Sequence, residues 1–496
     1  MSENLTRLKA RLADVNALHA AVAIMDWDQQ TFMPEGGAEA RAQHVSQLSR
    51  LAHELLTADE VGSWLERSAG EVAPGSDDAA LARVVKRDFD LATKIPSALV
   101  AKKSKLAAEG HEIWVRARAN NDFVSFAPFL EQLLDIVREE ANHLGYEHEP
   151  YDALLDQYEE GATADDCRRM FATLKENTVG LVRDITTHGV AVDDHLLCGE
   201  WDIARQKRLT EMMVKDIGFD FTRGRQDTAP HPFCTGWSIG DIRLTTRFQD
   251  HVCSSIFSSL HEAGHGMYEQ GSPKAWDLTP LAGGVSLGIH ESQSRLWENI
   301  VGRSKPFWKR YLHELHAEFP SLAAIYLDEF YRLVNKVQPS LIRVEADEVT
   351  YNLHVMVRFE LECDMLNGTL AVKDLPAAWN AKYKEYLGVD VPSDSKGCLQ
   401  DVHWSMGSIG YFPTYSMGNL LSYQIWNTLQ QDIPNTDELI EKGEFGPILR
   451  WLQEHVYSQG RKYAPKELVM RVTGKPMQAD DYVEALNKKY RDIYRI

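Results

Sequence analysis

The stretch Ser255-Ile256-Phe257-Ser258-Ser259-Leu260-His261-Glu262-Ala263-Gly264-His265-Gly266-Met267-Tyr268 decides how this chain is read. Its apolar residues recur at helical spacing and no proline interrupts it, so a helix is expected. With a rise of about 1.5 Å per residue, His261 and His265 fall on one face about 6 Å apart along the axis. Two imidazoles so placed can converge on one cation. Glu262 points about 100° away, where it reaches a water held by the cation rather than the cation itself. Nitrogen ligands with an open position for water suit zinc, which lowers the pKa of that water towards about 7 so that a carboxylate can take its proton.

A third ligand has to come from elsewhere. A metzincin-type continuation would put Gly three and His six residues after His265, but those positions hold Tyr268 and Gly271, so that class is excluded. Downstream, Gly288-Ile289-His290-Glu291-Ser292-Gln293-Ser294-Arg295-Leu296-Trp297-Glu298-Asn299 reads as a second helix with Glu291, Arg295 and Glu298 on one face. Glu291 is the candidate ligand, although the same spacing suits a plain i,i+4 ion pair with Arg295. Glu269 lies a further turn along the first helix and suits the role less well. His290 points elsewhere and is read as support for the site.

The chain has 496 residues, of which 44% are hydrophobic and 25% charged, in keeping with a water-soluble globular protein. Its formal net charge of −20 repels backbone phosphates and argues against nucleic acid as a partner. No apolar run approaches the roughly 20 residues that span a bilayer, so no membrane partner is expected. The N-terminal segment is amphipathic and charged throughout, without an export signal. Six cysteines stand apart at 167, 198, 234, 253, 363 and 398. Scattered thiols of this kind suit a reducing compartment, and a cytoplasmic location is expected. Cys253 and Cys398 lie near the motifs but read as small packing residues.

Helical periodicity dominates the remainder. Leu8, Leu12, Val15, Leu18 and Val22 mark a first helix, Leu5 to Ile24, and a second follows from Ala38 to Leu56. Further helices are expected near 78–93, 97–118, 126–144, 163–187, 203–216, 307–337, 346–367, 415–431 and 480–493. Pro96, Pro128 and Pro150 mark expected boundaries. Asp241 to Phe248 alternates apolar and polar residues and reads as a short strand beside the metal helix, with loops at 219–240, 270–285 and 389–414. The fold class is therefore mainly α, a single large helical body over 1–496 with a small β element. A polar break near 190–200 is a candidate subdomain boundary.

The ordered motifs carry a resemblance. His231-Pro232-Phe233, Asp241-x-Arg243-x-Thr245, His261-Glu262-x-x-His265, His290-Glu291-Ser292-Gln293-Ser294-Arg295, Ile342-Arg343-x-x-Ala346-Asp347 and Gly397-x-x-Gln400 occur in that order. Trp27-Asp28-Gln29-Gln30-Thr31-x-Met33-Pro34 and Tyr151-Asp152-Ala153-Leu154-Leu155-Asp156 belong with them. The chain resembles, over nearly its whole length, the thermostable carboxypeptidase Taq family of metallocarboxypeptidases, peptidase family M32. The resemblance implies Zn2+, with Co2+ as an alternative, on His261, His265 and Glu291, and Glu262 as general base. It also implies a helical fold with a deep groove, a homodimer, and stepwise release of C-terminal amino acids from peptides with broad specificity.

Such an enzyme must neutralise a terminal carboxylate, and a planar guanidinium is the natural group. Arg343 is the first candidate, with Arg243 and Arg247 as rivals; an i,i+4 pair with Asp347 is the plainer reading of Arg343. The strand near 241–248 could bind substrate backbone by β-augmentation. Negative charge on the scissile carbonyl needs donors beyond the metal. By analogy with other helical zinc peptidases these are His403 and a tyrosine, Tyr415 ahead of Tyr411. His231 and Gln400 are further candidate substrate contacts.

Overall fold

In the computed structural model, which describes residues 3–496, Leu5, Leu8, Leu12 and Val15 form the buried stripe of a helix spanning Glu3–Thr31. The helix Ala38–Leu56 packs along it. That stripe meets Val61, Leu65, Leu81 and Val84 of the next helices, together with Trp276 and Leu281. The last two belong to the segment joining the His261 helix to the Glu291 helix. Trp276 Nε1 also donates to Asp77 Oδ2 at 2.9 Å. The N-terminal layer is thus fastened to the connection between the helices that carry His261 and Glu291.

Two larger cores carry the rest. One gathers apolar side chains of the helices Phe123–Leu144, Ala164–His188, Tyr351–Leu366 and Leu375–Leu387. The other surrounds Ser254–Gln270, Lys305–Glu318 and Gly446–His455. The helix Pro413–Asp432 serves both, with Met417 and Leu420 in the first and Leu421 and Ile425 in the second. Each wholly buried leucine of this kind contributes about 1.5–3 kcal/mol. No helix among the described residues is long and apolar enough to cross a membrane.

Most expected helices appear within a few residues of their boundaries, for example Asp77–Lys94, Ser97–Asn120, Ile203–Asp216 and Asp480–Tyr494. Pro128, expected at a boundary, lies inside Phe123–Leu144. The single helix expected over 307–337 is instead two, Lys305–Glu318 and Leu327–Val334. Phe319 turns out of helical geometry at φ −128°, ψ 78° just before Pro320, as a residue preceding proline tends to do.

The expected loop at 219–240 contains two strands, β1 (Gly224–Thr228) and β2 (Cys234–Ser238), which pair with β3 (Asp241–Thr246). The order is β1-β3-β2, with β1 parallel and β2 antiparallel to β3. β3 therefore has a neighbour on each side, and the strand expected to accept a peptide backbone has no free edge; the edges belong to β1 and β2. Ile242 and Leu244 of β3 are buried, and Leu244 meets the face of the His261 helix at Gly266.

Candidate metal centre

His261 and His265 lie on one face of Ser254–Gln270 with ring centroids 4.9 Å apart and planes at 84°. Glu291 comes from Leu287–Arg295, and its Oε2 is 3.5 Å from Nε2 of each histidine. These three ligand atoms form a group lying within 4.8 Å of one another. Tetrahedral ligands at about 2.0–2.2 Å from a cation stand about 3.3 Å apart, close to the two 3.5 Å His–Glu separations, so the group suits a small divalent ion. The donor set, two imidazole nitrogens and one carboxylate oxygen, is one that first-row divalent metals take.

Both imidazoles are oriented from behind. Nδ1 of His261 donates to Glu298 Oε2 at 2.9 Å, leaving Nε2 to face the site. Nδ1 of His265 meets Nδ1 of His290 at 2.6 Å, and Nε2 of His290 meets Glu269 Oε1 at 2.7 Å. For Nε2 of His265 to be a ligand, its Nδ1–H must donate to His290, and His290 must then donate through Nε2–H to Glu269. A chain from carboxylate through imidazole to ligand imidazole results, and it fixes both tautomers. Glu291 takes part in both of its anticipated contacts: Oε1 accepts from Arg295 Nε at 2.7 Å while Oε2 faces the histidines. Arg295 also donates to Glu298 at 3.2 Å, as does Arg303.

Close packing sets the distance between these elements. A Cβ on Gly264 would stand 2.5 Å from the carbonyl oxygen of Gln293, and one on Gly418 would stand 2.4 Å from Cγ of Glu291. Glycines at these positions let the His261 helix and Pro413–Asp432 approach the Glu291 helix on its two sides. Its N-terminus is held by Glu159, which accepts from Ser286 Oγ and Gly288 N at 2.9 Å each. Beyond Arg295 the helix widens into a π turn, Leu296–Gly302, which carries Glu298.

Burial pushes Glu262 up to about 7, the carboxylates Glu291 and Glu298 adding to the effect and His261 opposing it. A carboxylate of that strength accepts and returns a proton near neutral pH. His265 is pushed down to about 4 by burial, in keeping with a neutral ligand. Burial acts against the charge on Glu291 too, but Arg295 and His261 hold it well below the ordinary carboxylate range.

His403, Tyr411 and Tyr415 are brought together. The His403 and Tyr411 ring centroids are 5.3 Å apart, as are those of Tyr411 and Tyr415. Burial lowers His403 to about 4, and its Nδ1 is buried without a partner. The loop that carries them converges on Glu362, whose carboxylate accepts from Trp404 Nε1 and Tyr151 OH at 2.8 Å each and from Gly410 N at 3.2 Å. His231 is exposed, with Nδ1 against Pro232 O at 2.8 Å, and near enough to His403 for their charges to interact.

Arg343 is 4% exposed and does not pair with Asp347, which accepts from the backbone of Val349 and Thr350 instead. Its Nε and Nη2 donate to Asp401 Oδ1 at 3.0 and 2.9 Å, and its Nη1 donates to Tyr351 OH at 2.9 Å. The Tyr351 ring lies 4.7 Å from the Arg295 guanidinium carbon on its other flank, linking Arg343 to the partner of Glu291. Gln400 is engaged by the protein: Oε1 accepts from Arg343 N and Arg358 Nη2, and Nε2 donates to Leu341 O. Arg243 pairs with Asp241 at 3.0 Å between the rings of Trp27 and Trp237, apart from Arg343. Sequence reasoning missed Asp401, Arg358, Glu159 and Glu362. A signal existed for Arg358 alone, an arginine set directly between the apolar Val355-Met356-Val357 and Phe359.

Residues 7–490 match the family model described as carboxypeptidase Taq (M32) metallopeptidase. The thermostable carboxypeptidase 1 of Thermus thermophilus is 40% identical, the match covering 99% of this chain and 98% of that protein. The crystal structure of an M32 carboxypeptidase from Deinococcus radiodurans R1 superposes with a TM-score of 0.97 at 40% identity, covering 100% of both chains. Metallocarboxypeptidase 1 of Trypanosoma cruzi gives 0.94 at 32% identity, covering 99% and 100%. A two-histidine, one-glutamate centre on a fold shared from end to end with these enzymes makes this chain a member of the M32 family of metallocarboxypeptidases, hydrolases of peptide substrates that use a divalent metal.

Proposed function

We propose that this chain removes C-terminal amino acids from peptides one at a time, with broad specificity, using Zn2+ held by His261, His265 and Glu291. Co2+ suits the same donors. The observation that carries the reading is the convergence of these ligands at 3.5 Å with the buried Glu262 one residue from His261. A divalent cation there supplies Lewis acidity, which activates a water and polarises the scissile carbonyl.

Glu262 accepts the proton of the attacking water and returns it to the leaving amine, a task its position near 7 suits. Neutral His403 and Tyr415, with Tyr411 beside them, donate to the developing oxyanion. Arg343 receives the terminal carboxylate. Of the five N–H groups of a guanidinium, the three engaged here leave one on each terminal nitrogen. Asp401 holds that guanidinium from behind, and Gln400 fixes the Arg343 backbone by accepting from its N–H; Arg243 and His231 contact substrate residues farther from the terminus. The chain works as one unit over 1–496, in the cytoplasm, as a homodimer.

Glu262→Gln tests the reading. The variant should bind the metal as the wild type does and lose at least about a hundredfold in kcat. Retained turnover with full metal would remove Glu262 from the mechanism.

A further inference from the structure

Arg343 is not the only guanidinium on Asp401. Arg358, wholly buried on Tyr351–Leu366, donates through Nε to Asp401 Oδ2 at 2.7 Å, and its Nη2 lies 2.6 Å from the same oxygen. Arg343 takes Oδ1. Arg358 is otherwise held by neutral groups: Gln400 Oε1 at 2.7 Å, His354 O at 2.6 Å and Tyr383 OH at 3.3 Å. Two cations therefore share one carboxylate, each using a separate oxygen.

No second carboxylate forms an ion pair with either arginine among the described residues, although Glu362 lies near enough to Arg358 for their charges to interact. Burial keeps His354 and His403 neutral. Glu362, one helical turn beyond Arg358, has its carboxylate enclosed by Trp404, Tyr151 and Gly410 and makes no ion pair with Arg358 among the described residues. Aromatic faces take up part of the excess: Trp379 is 4.6 Å from the Arg358 guanidinium carbon, and Tyr415 is 5.1 Å from that of Arg343. A buried cluster with surplus positive charge is costly until an anion completes it. The free N–H groups belong to Arg343.

We infer that Arg358 is a positioning residue for substrate recognition: by occupying Oδ2 of Asp401 it prevents that carboxylate from neutralising Arg343, which is left to bind the terminal carboxylate of the peptide. The inference rests on the reading of Arg343 given above and adds the group that keeps its charge available. Without Arg358, both Asp401 oxygens turn to Arg343 and compete with substrate.

The test is steady-state kinetics on a short peptide with a free C-terminus, using metal-loaded enzyme checked for metal content and thermal melting. Arg358→Met, with Arg358→Gln made in parallel, should raise KM at least tenfold and leave kcat within threefold. The decisive comparison is in the Asp401→Asn background, where no carboxylate remains to neutralise Arg343. There Arg358→Met should change KM by less than threefold, a rescue that a merely structural arginine would not give. The double variant removes both members of the Arg358–Asp401 pair together, and its comparison with Asp401→Asn carries the test if the Arg358 single variants do not fold. Folded Arg358→Met with wild-type KM, or a tenfold rise in KM in the Asp401→Asn background, would overturn the inference. Arg343→Met separates the two levels. If it leaves KM unchanged, the carboxylate reading fails and the inference with it; if it raises KM while Arg358→Met does not, the inference alone fails.

Discussion

Gly264→Ala places a single methyl group where the His261 and Glu291 helices cross. Its Cβ would lie 2.5 Å from the carbonyl oxygen of Gln293 and 2.7 Å from Cα of Ser294, where ordinary contact begins at 3.4 Å. The helices must therefore separate by about 0.9 Å, and since both neighbours are backbone atoms no rotamer change relieves the contact. Alanine gains about 1 kcal/mol over glycine as a helix former, and overpacking costs about 1–3 kcal/mol, so global stability should fall by no more than about 2 kcal/mol. The metal centre is less tolerant. Ligand distances hold to within about 0.2 Å, and a displacement of about 1 Å at a reacting centre costs about a hundredfold. Metal affinity, measured by competition with a chelating dye, should drop at least about tenfold, and kcat/KM about a hundredfold. Circular dichroism should show unchanged helicity. Wild-type affinity and turnover in the folded variant would refute the view that close helix contact at Gly264 sets the ligand spacing.

Other predictions address the groups behind the ligands and the buried acids. Glu298→Gln weakens the hold on His261 Nδ1 and should lower metal affinity about 10–100-fold, read by the same competition. Removing the metal with a chelator should abolish hydrolysis and lower Tm, and adding back Zn2+ should restore both, since an ion that binds only the folded state stabilises it. Glu159 is raised by burial to about 7 from an ordinary 4.5. The folded state then holds the proton more tightly than the unfolded chain, so this stabilisation is complete below pH 4.5 and lost as pH rises through 7. The difference is on the order of 3 kcal/mol. Glu159→Gln should flatten the decline in stability between pH 5 and 8, measured by urea unfolding, and an unchanged slope would contradict the burial argument.

The parts of the site that sequence shows are those set by local geometry. His261, Glu262 and His265 lie on one helix, and their spacing alone orients them. Glu291, 30 residues from His261, was visible as a face shared with Arg295 and Glu298, but only packing at Gly264 and Gly418 aims that face at the histidines. Arg343 shows the reverse: spacing favoured Asp347, whereas the fold supplies Asp401 from 58 residues away. β1 and β2 were hidden for a similar reason. In β1 the sole buried side chain is Gln226, held by hydrogen bonds to Thr210 and Ser259, so no apolar alternation marks it. The helix break at Phe319 was legible in principle from Pro320, but apolar periodicity on both sides concealed it. Glu159 and Glu362 had no signal, since a buried glutamate is indistinguishable from a surface one until its donors surround it.

The central claim is a metal-dependent attack directed by a free C-terminus. Mass spectrometry of one peptide in free-acid and C-terminally amidated forms, incubated with Zn2+-loaded protein, tests it most directly. The account predicts a ladder shortening one residue at a time from the C-terminus of the free acid, with the amide almost untouched. Internal cleavage of both forms at similar rates would contradict it.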